Sequence, residues 1–281
     1  MAASSEIFAQ LDDFLNAYEG DKAYNLAKTL LEEAGEKVDT NLYLCFMHAC
    51  YIVSNCSTNE IKRKTVLDEA YGYGKKIFEL EPNNREVLKW CAIITGSLAE
   101  VATMKEKIAL GHEFKNYLDK AAENEPDSSI FHMRGRFSYQ IANLSWLERT
   151  AASVVFGAPP YATIENALSD LLRAEELNPG QIDNQLYIAK CYLDQGDRIN
   201  ASKYLTNVIY SHAVDEIDVE QQNEARKLIE NIIKEQSQEL ITLKMPEEIT
   251  MKTRKAKDNT KLEDTSEESN PEDTNDTVKP E

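Results

Sequence analysis

Apolar residues recur at intervals of three and four along most of this chain, and the apolar-polar alternation of a half-buried strand is nearly absent. That periodicity predicts helices over approximately 5–19, 22–35, 40–54, 59–80, 85–104, 106–124, 128–154, 162–177, 182–195, 198–210 and 217–241. Capping spacings support two of the starts: Ser57 lies three residues before Glu60, and Asn83 three before Glu86. The clearest unit follows Pro179, where Leu186, Ile188, Ala189 and Tyr192 form one stripe and Ala201, Tyr204, Leu205 and Val208 a second. Between them, Gly196 is suited to end the first helix in a left-handed conformation and Asp197 to cap the second.

Three junctions punctuate the helices: Leu80-Glu81-Pro82, Asn124-Glu125-Pro126 and Leu177-Asn178-Pro179. Proline lacks a backbone N–H and its ring clashes with the preceding turn, at about 3 kcal/mol inside a helix, so each marks a place where a helix has finished. Ahead of Pro179, Ala167, Leu171 and Ala174 take the small-large-small offsets that let paired helices lie close together. The expected fold is all-α, an irregular tetratricopeptide-like α-solenoid of antiparallel helix pairs. Pro82 to Pro126 is 44 residues and Pro126 to Pro179 is 53, against a standard period of about 34, so the middle units require longer helices or longer loops.

The segment 128–154 stands out because one stripe holds Ile130, Met133, Phe137, Ile141 and Leu144, and another holds Phe131, Gly135, Tyr139, Ala142 and Trp146. A helix apolar on both faces is either sandwiched between neighbours or lines an apolar groove. Gly157 and Pro159-Pro160 then force a loop.

With 281 residues, 42% of them hydrophobic and only 10 Gly and 8 Pro, the chain is able to bury a substantial core. Composition divides it into an N-terminal helical repeat or cap at 1–58, a repeat core at 59–243 and a tail at 244–281. Residues 258–281 hold nine Asp and Glu against two Lys and almost nothing apolar, so a disordered acidic tail is expected, preceded by a basic cluster of Lys252, Arg254, Lys255 and Lys257. Two further basic groups, Lys62-Arg63-Lys64 and Lys75-Lys76, lie on helices. The five cysteines, at 45, 50, 56, 91 and 191, form no Cys-x-x-Cys pair and read as buried thiols in a reducing compartment. The start of the chain shows no leader or anchor pattern, and no stretch approaches about 18 apolar residues, which predicts a soluble cytoplasmic protein.

Catalytic patterns fail on spacing. Gly72-Tyr73-Gly74-Lys75-Lys76 lacks the phosphate-loop arrangement and falls inside a predicted helix. His48, His112, His132 and His212 form no metal-binding pair, and no Gly-x-Ser-x-Gly elbow occurs. No enzyme, cofactor, metal or nucleic-acid partner is expected.

A family resemblance rests on combined motifs: Leu98-Ala99-Glu100; Phe114-Lys115 to Asp119-Lys120-Ala121; Gly135-Arg136 and Tyr139; Leu144-Ser145-Trp146-Leu147-Glu148; Phe156-Gly157; Ala174-Glu175-Glu176-Leu177 with Pro179-Gly180; and Lys190-Cys191-Tyr192. Over roughly 60–240 the chain resembles the regulator of microtubule dynamics family. The resemblance implies a noncatalytic helical-repeat protein on spindle microtubules and spindle poles, acting in spindle organisation and chromosome segregation with tubulin and mitotic regulatory proteins as partners. It also implies an alternative, because some members sit on organelle membranes through an N-terminal anchor and act at membrane contacts. Without an anchor pattern, this chain is expected on the soluble, cytoskeletal branch.

Direct microtubule binding meets an electrostatic obstacle: the chain carries a formal charge of −18 and the polymer surface is also acidic. The basic groups named above are the local patches expected to offset it. If the inner surface is used as in tetratricopeptide solenoids, Lys89, Ile93, Met133, Phe137, Gln140, Lys190 and Leu193 line a mostly apolar groove with two cations, suited to an amphipathic peptide helix or an acyl chain with an anionic headgroup.

Overall fold

The computed structural model describes residues 2–35, 39–123, 127–155, 157–214 and 216–244. Among these residues there are twelve α-helices and no strand. They are α1 (Ala2–Asn16), α2 (Gly20–Ala34), α3 (Thr40–Asn55), α4 (Glu60–Leu80), α5 (Arg85–Val101), α6 (Met104–Glu123), α7 (Ser128–Ala142), α8 (Trp146–Val155), α9 (Ile164–Leu177), α10 (Ile182–Asp194), α11 (Arg198–Tyr210) and α12 (Glu216–Lys244). Backbone contacts divide the chain into a unit at 1–226, which holds α1 to α11 and the start of α12, and a second at 227–281, whose described part is the rest of α12.

From α1 to α11 each helix packs on the next, as antiparallel pairs joined by short turns require, with one exception. α7 packs on α9 and passes over α8, so the pairs are α1–α2, α3–α4, α5–α6, α7–α9 and α10–α11. First helices of successive pairs also touch, α1 with α3, α3 with α5, and α7 with α10. This is the all-α solenoid of helix pairs that the periodicity predicts. It also explains the uneven junction spacing: α4 and α6 run 21 and 20 residues, and the 53-residue interval contains the inserted α8.

Local chemistry sets the helix ends. At the first junction, Glu81 follows α4, and its carboxylate accepts from the Thr40 hydroxyl at 2.5 Å and the Asn84 amide at 2.6 Å, tying the start of α3 to the α4–α5 turn. At the third, the Asn178 N–H returns to the Ala174 carbonyl at 2.9 Å, and Pro179 lies beyond the helix. The second junction falls outside the described residues. Gly196 adopts φ +76°, and the Asp197 side chain accepts the Asn200 N–H at 3.0 Å, so the α10–α11 turn is built as its sequence indicates.

Two expected caps move. Asn59 caps α4, accepting from the Lys62 N–H at 3.0 Å, while Ser57 serves instead as acceptor for the Asn59 N–H. Asn84, not Asn83, caps α5, accepting from the Glu86 and Val87 N–H groups. The larger correction is at 128–154, which forms two helices. The Asn143 N–H bonds back to the Tyr139 carbonyl at 3.1 Å. Ser145 and Glu148 then form a reciprocal capping box: the Ser145 N–H donates to the Glu148 carboxylate at 2.8 Å, and the Glu148 N–H to the Ser145 hydroxyl at 3.2 Å. Leu144 and Trp146 therefore do not continue the α7 stripes, and Trp146 is 79% exposed.

The α7–α9 contact is the tightest in the solenoid. Ala167 and Leu171 are fully buried and Ala174 nearly so, and a Cβ on Gly135 would lie 2.6 Å from Leu171 Cγ and 3.1 Å from the Ala167 carbonyl. Only glycine lets these two backbones approach so closely.

Cys50, Cys91 and Cys191 are buried free thiols, as expected, whereas Cys45 is half-buried and Cys56 is exposed. Burial pushes the Cys45 thiol up to about 11 and Cys91 and Cys191 up to about 12, so these sulfurs are poor nucleophiles at neutral pH.

Candidate interaction surfaces

The expected groove residues sit on three first helices, α5, α7 and α10. Lys89 and Lys190 are engaged by neighbours. The Lys89 ammonium lies 2.9 Å from Asp127, the α7 cap, and that of Lys190 lies 2.8 Å from Glu224 and over the Tyr187 ring. Ile93 and Leu193 are half-buried, Met133 packs on the main core, and Gln140 is exposed. Phe137 packs on Phe114 of α6 with ring centroids 5.0 Å apart and planes tilted by 59°, and a Cβ placed on Gly111 would lie 3.9 Å from its ring. α7 is thus flanked by α6, α9 and α10. Neither of the two described cavities is lined by these seven residues. One is a narrow gap among Met47, Tyr71, Cys91 and Tyr117, and the other a cleft of about 490 Å³ near Tyr18, Cys56 and Lys62.

A polar joint holds α7, α10 and the start of α12 together. Asp183 accepts from the Arg136 guanidinium at 2.7 Å and the Gln221 amide at 3.0 Å, and its other contact is His132 Nε2 at 3.0 Å. Burial pushes the Asp183 carboxyl up, but the His132 hydrogen bond and the Arg136 charge outweigh it and hold the group below the ordinary aspartate value.

Asp127 shows the same balance. Burial raises it, while hydrogen bonds from the Ser129 hydroxyl, the Lys89 ammonium and the Ile130 N–H bring it down to about 2. Because the folded value lies below the unfolded one of about 3.9, the stability it contributes is complete above that value and is lost as pH falls toward 2. Asp127→Asn keeps the cap and removes the charge. The expected result is a less stable variant at pH 6, with the two unfolding free energies converging as the pH approaches 2, measured by urea titration at each pH.

Lys62, Arg63 and Lys75 are struts between helices, whereas Lys64 pairs within its own helix α4 and lies 3.8 Å from Glu106 of α6. Lys62 pairs with Asp21 at 2.9 Å, Arg63 with Glu100 at 3.3 Å, Lys64 with Asp68 at 3.1 Å and Lys75 with Glu113 at 3.5 Å. Lys76 lies over the Tyr73 ring. Lys252, Arg254, Lys255 and Lys257, together with the acidic tail, lie outside the described residues.

Lys75 belongs to a repeated device that periodicity alone does not reveal. Tyr24 Oη donates to Glu69 at 2.7 Å while Lys28, lying over the Tyr24 ring, approaches the same carboxylate at 3.2 Å. One pair later, Tyr71 Oη donates to Glu113 at 2.7 Å, and Lys75 lies over the Tyr71 ring. The readable signal is Ala23-Tyr24-x-x-Ala27-Lys28 recurring as Ala70-Tyr71-x-x-Gly74-Lys75. Each clamp joins the second helix of one pair to the second helix of the next, α2 to α4 and α4 to α6. Glu113→Ala removes both the charged acceptor and its ion pair at a partly exposed site, so a loss of about 1 kcal/mol in urea unfolding is expected.

No group of three or more His, Cys, Asp or Glu side chains among the described residues is arranged to hold a metal ion. No helix there is long and apolar enough to cross a membrane.

Comparison with known proteins places these features. The chain is similar to the regulator of microtubule dynamics protein 1 of Caenorhabditis elegans, 34% identical over 226 residues that cover 80% of this chain and 99% of the relative. It is 32% identical to protein 2 of Rattus norvegicus over 62% of this chain and 42% of that protein, and 35% identical to protein 3 of Xenopus laevis over 51% and 32%. The chain thus spans nearly the whole nematode relative but less than half of the two vertebrate ones. A family model described as regulator of microtubule dynamics protein 1–3 matches residues 7–233, from within α1 through the fifth helix pair, and the chain belongs to that family.

Proposed function

We propose that this protein is a noncatalytic helical-repeat scaffold that binds microtubules and acts at the spindle and its poles in spindle organisation and chromosome segregation. The observation that carries this reading is the match over residues 7–233, together with a nematode relative, itself named a regulator of microtubule dynamics, aligned over 99% of its length. The architecture supports a binding role: stacked helix pairs offer extended surface, and the buried thiols have been pushed away from reactivity. Lys89 and Lys190, each already in an ion pair, weigh against the alternative of an adaptor at organelle membrane contacts that holds an anionic headgroup in the groove. Pelleting of the purified chain with polymerised tubulin, beside flotation with phosphatidylcholine vesicles that contain anionic phosphatidylserine, separates the two. Saturable pelleting without flotation is expected, and flotation without pelleting would replace the first reading by the second.

A further inference from the structure

His132 on α7 reaches two side chains of α10 at once, and the chemistry of those partners sets how many protons its ring must carry. Nε2 lies 3.0 Å from an Asp183 carboxylate oxygen, and Nδ1 lies 3.1 Å from Asn184 Oδ1. The Asn184 amide is oriented by its other end. Nδ2 donates to the Leu171 carbonyl, which can only accept, at 3.0 Å, and to the Glu175 carboxylate at 3.1 Å. Glu175 accepts as well from the Gly180 N–H and the Gln185 amide. An oxygen therefore faces each nitrogen of the His132 ring. An imidazole with one proton satisfies one of them and sets a lone pair against the other, whereas the imidazolium donates to both. Asn184 is 2% exposed, so bulk water is a poor substitute for a missing donor.

Charged groups surround this ring from each neighbouring element. On α10, Asp183 attracts a second proton to the ring, and Lys190, paired with Glu224 of α12 at 2.8 Å, also acts on Asp183. On α7 itself, Arg136 shares the same Asp183 oxygen at 2.7 Å and opposes a second cation beside it. Glu175 of α9 stands behind Asn184, and the neutral Gln221 amide of α12 takes the other Asp183 oxygen. Asp119 of α6 and Asp170 of α9 are both engaged by Arg134. Of these residue types, histidine is the one whose charge ordinarily changes between about pH 5 and 8.

We infer that His132 is a proton-operated link between the fourth and fifth helix pairs: a second proton on its ring completes the bond to Asn184 and tightens α7 on α10, and loss of that proton opens the bond. The link is independent of what the solenoid binds, and it makes the stacking of these two pairs pH-dependent. The doubly protonated ring makes a bond in the folded chain that the unfolded chain lacks, so folding takes up the proton. The stability it adds is fullest at low pH and is lost as pH rises through neutrality.

The test is urea unfolding of the full chain and of its His132→Gln variant at about pH 5.5 and about pH 8. The expected result is a gap between the two unfolding midpoints that is wider at the lower pH. His48, whose protonation burial opposes, contributes equally to both proteins and cancels in the gap. A gap of the same size at both pH values, which a merely structural histidine would give, overturns the proposal, as does a gap wider at the higher pH. A second measurement needs only the parent chain and holds even where the variant does not fold. Nitrogen-15 spectra of the histidine rings, with the His132 ring assigned through its own backbone, are expected to show both of its nitrogens protonated at a pH where the exposed His212 has lost one proton. A His132 ring that loses its proton together with His212, or before it, overturns the proposal.

Discussion

Replacing Arg134 by leucine is expected to lower the unfolding free energy by about 3 kcal/mol, because removing one partner of a buried ion pair leaves the other charge uncompensated. Arg134 on α7 meets Asp170 on α9 side-on: Nε donates at 2.7 Å and Nη2 at 2.6 Å to the two carboxylate oxygens. Its remaining nitrogen lies 3.5 Å from Asp119 on α6, so one guanidinium links three helices. The Asp170 side chain is only 13% exposed, and water does little to stabilise it once the fork is gone. Hydrogen bonding to Asp170 raises the already high basicity of Arg134, so the guanidinium stays charged. The double variant Arg134→Leu/Asp170→Leu removes both charges and should recover most of the loss in urea titration. A single variant within about 0.5 kcal/mol of the parent would mean that the pair behaves as a surface contact.

Gly135→Val is expected to cost a similar amount, about 3 kcal/mol, through overpacking of the α7–α9 contact. Valine improves the intrinsic helix propensity at this position by a few tenths of a kcal/mol, so destabilisation must come from the neighbour. Its Cβ would meet Leu171 2.6 Å away, and Leu171 is fully buried, with the Ala167 carbonyl one turn earlier on α9 3.1 Å off. Pairing Gly135→Ala with Leu171→Ala separates the two effects. A double-mutant cycle should return a favourable coupling of about 1 kcal/mol or more, because the smaller residue 171 makes room for the new methyl group. Additive losses would place the strain elsewhere.

Helix order was legible because the apolar stripes are long, and the Pro179 unit was legible in detail because Gly196 and Asp197 state the turn chemistry outright. The break inside 128–154 was written in Ser145 and Glu148, a capping box flanked by apolar residues that extend the stripe past it. Asn59 and Asn84 displaced Ser57 and Asn83 because neighbouring residues compete for one cap, and only the backbone geometry at the junction decides between them. The surfaces were less legible for a different reason. Lys62 reads as part of a basic patch until Asp21, 41 residues away, is brought to 2.9 Å. Phe137 reads as a groove residue until Phe114 of α6 packs against its ring. Long-range pairing of that kind leaves no local periodicity, although the recurrence of Tyr24-Lys28 as Tyr71-Lys75 records part of it.

The most direct test of this account is the dissociation constant of the full chain for polymerised tubulin at low and at physiological ionic strength. With Lys62, Arg63, Lys64 and Lys75 committed to internal carboxylates and the chain at a formal charge of −18, screening weakens chiefly repulsion between two acidic surfaces, so affinity should hold steady or rise with salt. Affinity that falls steeply as salt is added would contradict it and return the interaction to the basic residues.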